Sequence, residues 1–275
     1  MSSDTQPAEQ LIQHFLDTGE HDELDPAWPG RSFYERACAA KKMLRAALIA
    51  KVRETTEGHE LPSLPVDFDA RQFVLAKVGP MVSGLFPAKE RVLVLDMFED
   101  SLVLVTHDNI ERLLSEIQYL YSAWQLANLY LGSLGLPGLD GKRVAFVGFS
   151  EETTFYLSVT YFGDDDPFAD WVVHEAAHVF HNWKREFVGL PSTRTREFLL
   201  PINYRKRELF AYACEAYATI LEKAGSPAYR RRLHAEYAAN WAPSADGMDR
   251  DEPIAAVAEA VNARNGWKRI LRRCM

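Results

Sequence analysis

The segment DWVVHEAAHVFHNW, residues 170 to 183, constrains this chain more than any other, because it sets two histidines and a glutamate in an otherwise apolar stretch with helical spacing. His174 and His178 are four residues apart, so on a helix they share one face, about 6 Å apart along the axis, and their ring nitrogens can converge on one metal ion. Glu175 lies about 100° further round, where it can reach a water on that metal without being a ligand. Around them Val172, Val173, Ala176, Ala177, Val179 and Phe180 are uncharged, the pattern of a buried helix whose polar side chains point into a cleft. The competing reading is a pair of hydrogen-bonded structural histidines.

A catalytic zinc takes three protein ligands and leaves a fourth position for water, so the two histidines need a partner. An extended motif ending in a third histidine is excluded, because Lys184 occupies that position and His181 stands where the glycine belongs. His181 shares the face of the pair but sits about 10 Å from His174 along the axis, so it reads as a residue behind the ligands or at the pocket rim. A carboxylate from a later helix is the remaining route. In YRKRELFAYACEAYATILEKA, Tyr204, Glu208, Tyr212 and Glu215 share one face, and small residues at 211, 213, 216 and 218 allow close packing on the first helix. Either glutamate alone reads as a solvated surface group. The unfilled ligand position makes one of them the third ligand, and Glu208, nearer the helix start, is expected to fill it. Glu215, two turns deeper, is then expected to accept a hydrogen bond from a ligating histidine or from Tyr212.

Composition bounds the rest. With 275 residues, 47% hydrophobic and 25% charged, the chain can build one large core or a core with a helical appendage. A net charge of −8 argues against nucleic acid as a partner. No apolar stretch approaches about 18 residues, and the polar, acidic first segment lacks the look of a secretory signal, so no membrane partner is expected. Cys38, Cys214 and Cys274 are scattered without CxxC spacing, which indicates neither disulfides nor a cysteine zinc site and suits a cytoplasmic protein.

Along the chain, Ser32 and Glu35 are placed as a capping box for a helix of about 25 residues. Residues 71 to 90 are ambiguous. The run RVLVLDMFEDSLVLVT reads as two strands about Glu99-Asp100, and Asp108 with Glu111 as the start of one helix running to about Leu131. KRVAFVGF and TTFYLSVTYFG read as a hairpin, the second strand suited to be a sheet edge against which a peptide could align. The run Asp164 to Asp166 is read as capping rather than metal-binding, with Asp166 as N-cap and Pro167 as first residue of the motif helix, which is expected to reach about Glu186. Helices follow near 204–224, 226–240, 252–264 and 266–273. The expected organisation is a helical region over 1–70 and an α+β domain over 71–275, its upper part 71–186 and helical lower part 187–275. Lys184, Arg185, Arg194, Arg196, Arg205, Lys206 and Arg207 form a basic cluster, read as a solvated face with local ion pairs in preference to a site for acidic peptides.

HEAAH followed by the ELFAYACEAYA helix resembles the zincin metallopeptidases of the gluzincin type over about residues 150 to 225. The resemblance implies a zincin-like α+β fold, one zinc ion per chain and a peptide or protein substrate. It also implies His174, His178 and Glu208 as metal ligands, Glu175 as general base and Tyr204 as a hydrogen-bond donor to the transition state. Tyr212 departs from the family pattern, in which an acidic residue often stands four after the ligand glutamate. Three other readings are a zincin-like metal-binding module without turnover, a carboxylate-bridged di-iron protein and a closed structural zinc site. The di-iron class needs a second Glu-x-x-His pair, which the sequence lacks.

Overall fold

The computed structural model describes residues 8–59, 68–144, 146–163, 166–243 and 248–275. In chain order the elements are α1 (Ala8–Thr18), α2 (Phe33–Thr56), α3 (Ala70–Leu85), α4 (Ala88–Phe98), β1 (Leu102–Val105), α5 (His107–Glu116), α6 (Leu120–Ser133), β2 (Gly148–Glu151), β3 (Thr154–Ser158), α7 (Trp171–Asn182), α8 (Arg207–Lys223), α9 (Pro227–Asn240), α10 (Asp251–Val261) and α11 (Gly266–Cys274). The class is α+β, with a small sheet and a helical C-terminal half. No helix of the described residues is long and apolar enough to cross a membrane.

Two compact units partition the chain, one of residues 1–66, 104–148 and 156–161, the other of 67–103, 149–155 and 162–275. Each unit joins segments that are distant in the sequence. The strands form one sheet ordered β1–β3–β2. The hairpin of β2 and β3 turns at Glu152, a non-glycine residue in the left-handed region. Its second strand ends at Ser158 and gives way to a 3-10 turn over Val159–Gly163. Because β3 is the middle strand, both its edges are already paired, and the expectation of an edge strand directly before the motif helix is overturned.

In the first unit α2 starts at the expected capping box, where Ser32 Oγ accepts from Glu35 N and the Glu35 carboxylate accepts from Ser32 N. It buries Ala40, Leu44, Leu48 and Val52, one residue per turn. The long helix expected from Asp108 is two helices instead, the first capped by Thr106 with Asn109. Arg45 accounts for the break. Its guanidinium donates to the carbonyls of Leu114 (2.6 Å), Ile117 and Gln118 (3.1 Å), satisfying the end of α5 from outside the helix.

In the second unit α4 replaces an expected strand. Glu90, Val94 and Phe98 are buried at four-residue spacing while Val92 and Asp96 between them are exposed, which breaks the alternation of a strand and fits the turn of a helix. The ambiguous residues before it form α3, capped by Asp69; at Gly84 of that helix a Cβ would lie 2.1 Å from the Trp267 ring, so only glycine admits the α11 tryptophan. The motif helix α7 packs on α8, His174 meeting Glu208, Tyr212 and Glu215, and Ala176, Ala177, Ala211, Ala213 and Ala216 of the two helices are all buried.

The segment between them is pinned by Arg185, which is wholly buried. It bonds the Glu90 carboxylate at 2.9 Å and the carbonyls of Pro191 at 2.9 Å and Leu199 at 3.4 Å. This corrects the solvated reading of that arginine; Lys184 does pair with Glu197, and Arg196 with the far oxygen of Glu90. Breaking a buried pair from one side strands the other charge. Arg185→Met is therefore expected to lose about 3–5 kcal/mol in urea unfolding, and Glu90→Gln added to it to recover part of that loss.

Candidate metal centre

The motif helix begins four residues later than expected. Asp170, not Asp166, is its N-cap, accepting from Val173 N, and Asp166 caps the preceding turn through Phe168 N; Asp164 and Asp165 lie outside the described residues. The helix ends at Asn182, short of Glu186, and Arg185–Val188 form a 3-10 turn. This start is fixed by charge. Asp170 is 2% exposed and its second oxygen meets Lys77 Nζ at 3.1 Å.

His174 and His178 turn their Nε2 atoms towards each other at 3.1 Å. The nearer oxygen of Glu208 lies 3.5 Å from the His178 Nε2 and 4.0 Å from the His174 Nε2. Bonds of about 2.0–2.2 Å in tetrahedral array hold donor atoms roughly 3.3–3.6 Å apart, so these three fit one zinc ion with little movement. Two imidazoles and a carboxylate are the nitrogen and oxygen donors zinc favours, with a position left for water. Among the described residues this is the single group of three or more His, Cys, Asp or Glu side chains so arranged, which leaves a di-iron centre without its second half.

The other ring nitrogens are also committed. Nδ1 of His174 lies 3.0 Å from Glu215 Oε2, and the second oxygen of Glu215 accepts the Asp170 backbone N–H at 2.8 Å. Glu215 therefore ties the N-cap of α7 to its first histidine, fixing the tautomer that points a lone pair at the metal position. Nδ1 of His178 lies 3.2 Å from His181 Nε2, which makes His181 the acceptor if His178 ligates through Nε2. Burial, then the neighbouring His178 and Arg207, hold the His181 pKa down to about 4, so the ring is neutral and free to accept. In the metal-free chain burial opposes a charge on His174, but the hydrogen bond and charge of Glu215, with Glu175 and Glu208, outweigh it and raise its pKa. The hydrogen bond with His178, against the opposing effect of burial, holds the Glu208 carboxyl below its usual range.

Glu175 is 7% exposed, and no hydrogen bond or ion pair ties its carboxylate to another described residue. Tyr212 packs edge-on against the His174 ring, centroids 4.7 Å apart. Tyr204 does not join the cluster: its ring is stacked by the Arg207 guanidinium at 4.1 Å and is 68% exposed. Sequence reasoning missed Asp170 and Lys77 as the anchor of the helix start, and Trp171, whose ring lies 5.5 Å from that of His174. An aspartate directly before the apolar run was the signal available for the first. No family model, no curated protein and no solved structure matches the chain.

Proposed function

We propose that this chain is a zinc-dependent peptidase of zincin type, with His174, His178 and Glu208 holding one zinc ion and Glu175 acting as general base. The observation that carries the reading is the convergence of three donor atoms beside a buried carboxylate that makes no hydrogen bond or ion pair with another described residue. His174, His178 and Glu208 would hold a zinc ion there, which would supply Lewis acidity to a water and to the peptide carbonyl. Glu175 takes the proton of the attacking water and delivers it to the leaving amine. Glu215 and His181 keep the two imidazoles in the tautomers the reaction needs. Tyr204, exposed in the 3-10 turn just before α8, is available to donate to the carbonyl oxygen of a bound peptide.

Protein purified without chelator or affinity tag is expected to carry about one zinc per chain and to cleave members of a mixed peptide library read by mass spectrometry. Phenanthroline should stop the cleavage and zinc restore it. Zinc without cleavage would make the chain a metal-binding module, the second reading, which the paired edges of β3 favour because no peptide can align there. A chain refractory to zinc would overturn both.

A further inference from the structure

Behind His174 lies a cavity of about 240 Å³ walled by Phe168, Trp171, Tyr212, Tyr237 and Trp241, with Glu215 at its side. Trp171 and Tyr212 both pack on the His174 ring, so the cavity and the metal centre share a wall. Among the described residues its lining includes no lysine, arginine or histidine, whereas Asp166 and Glu215 both belong to it. Tyr237 is 2% exposed, and its hydroxyl has no hydrogen-bond partner among the described residues. A buried hydroxyl without a partner is costly unless a ligand supplies one. Burial, then Glu215 and Asp166, push the pKa of this phenol up, with Arg250 acting the other way; it is thus a neutral group whose oxygen can accept. Arg250 itself is spent on the carbonyls of Ala238, Ala239 and Ala242 at the end of α9.

We propose that this cavity binds the cationic side chain of a lysine or arginine of the substrate, and so selects a basic residue near the scissile bond. Aromatic faces attract a cation through their quadrupole, most strongly where water is excluded. Five such rings with carboxylates beside them form an electron-rich box with an oxygen in its wall to receive an N–H. The chain already uses this attraction from outside, where Lys223 Nζ lies 5.6 Å from the centroid of the Phe168 ring. An apolar side chain would fill the space but leave the Tyr237 hydroxyl unpaired.

The assignment of the cavity to substrate rests on the peptidase reading, and the test separates the two. N-acetyl-arginine amide and N-acetyl-lysine amide are titrated calorimetrically into the zinc-loaded Glu175→Gln protein, beside their uncharged counterparts, the amides of N-acetyl-citrulline and N-acetyl-norleucine. The charged probes are expected to bind at least about tenfold more tightly. Trp241→Ala, at a partly exposed rim position, is expected to remove most of that difference, and Tyr237→Phe to reduce it several-fold while zinc content stays unchanged. Equal binding of charged and uncharged probes, or a preference that survives Trp241→Ala, overturns the proposal. In the peptide library, wild type should cut next to lysine or arginine. Cleavage without that preference overturns the cavity's role in selection and leaves the peptidase standing. Selective binding of the charged probes with no cleavage of any peptide refutes the peptidase and leaves a cation site.

Discussion

Glu175→Gln is expected to bind zinc as tightly as the wild type, melt at the same temperature, and hydrolyse peptides roughly 10²–10⁴-fold more slowly. The substitution keeps the shape of the side chain and removes only its basicity. The change should be silent in the fold, because the Glu175 carboxylate bonds no other described residue, and in the metal site, because the converging donors come from His174, His178 and Glu208. A buried carboxyl group without a hydrogen-bond partner is unusual; it is tolerated where the group faces a water or substrate that it must deprotonate. The decisive comparison is the rate on one substrate found with the wild type, with zinc measured in both samples. Equal rates would remove Glu175 from the chemistry, and loss of zinc along with activity would make it a ligand.

The parts of this protein legible in its sequence are those whose cause is local. The α2 capping box needs only Ser32 and Glu35, three residues apart, and it formed as expected. The same holds for the spacing of His174 and His178 and for the one face shared by Glu208, Tyr212 and Glu215, because helical geometry alone fixes them. Misread elements have distant causes. The break between α5 and α6 is made by Arg45, 69 residues before Leu114, and no breaker residue marks it in the sequence. The apolar run Arg91 to Phe98 reads as strand, yet Glu90 faces the buried Arg185, 95 residues away, and a helix buries Glu90, Val94 and Phe98 with it while leaving Val92 and Asp96 exposed. The start of α7 was misplaced for a related reason: an Asp-Pro step at Asp166 is a good local cap, but Asp170 is held by Lys77 and by the carboxylate of Glu215 through its N–H. At the site, composition and spacing singled out His174, His178 and Glu208, whose donor atoms converge. They could not say which nitrogen of each ring was free, since that depends on Glu215 and His181.

Glu208→Ala is expected to lose zinc at submicromolar free metal, whereas Glu215→Ala should keep it with an affinity lowered about 10–100-fold. Both carboxylates lie on one face of α8, and both lie within reach of His174. The difference is which nitrogen each one meets. Glu208 approaches the Nε2 atoms of both histidines, at 3.5 and 4.0 Å, and it is one-third exposed, so removing it takes a donor from the metal and little from the fold. Glu215 meets Nδ1 of His174 and the Asp170 N–H, at 3.0 and 2.8 Å, on the side of the ring away from the metal position. Its loss leaves two buried donors without an acceptor, at a cost of about 1–3 kcal/mol each. The metal-free stabilities must therefore run opposite to the zinc affinities: Glu215→Ala should unfold at lower urea than wild type, and Glu208→Ala close to it. A zinc titration in which Glu215→Ala is the variant that loses the metal would transfer the ligand role to Glu215, and equal stability of the two metal-free variants would refute the account of Glu215 as the clasp between the helix start and His174.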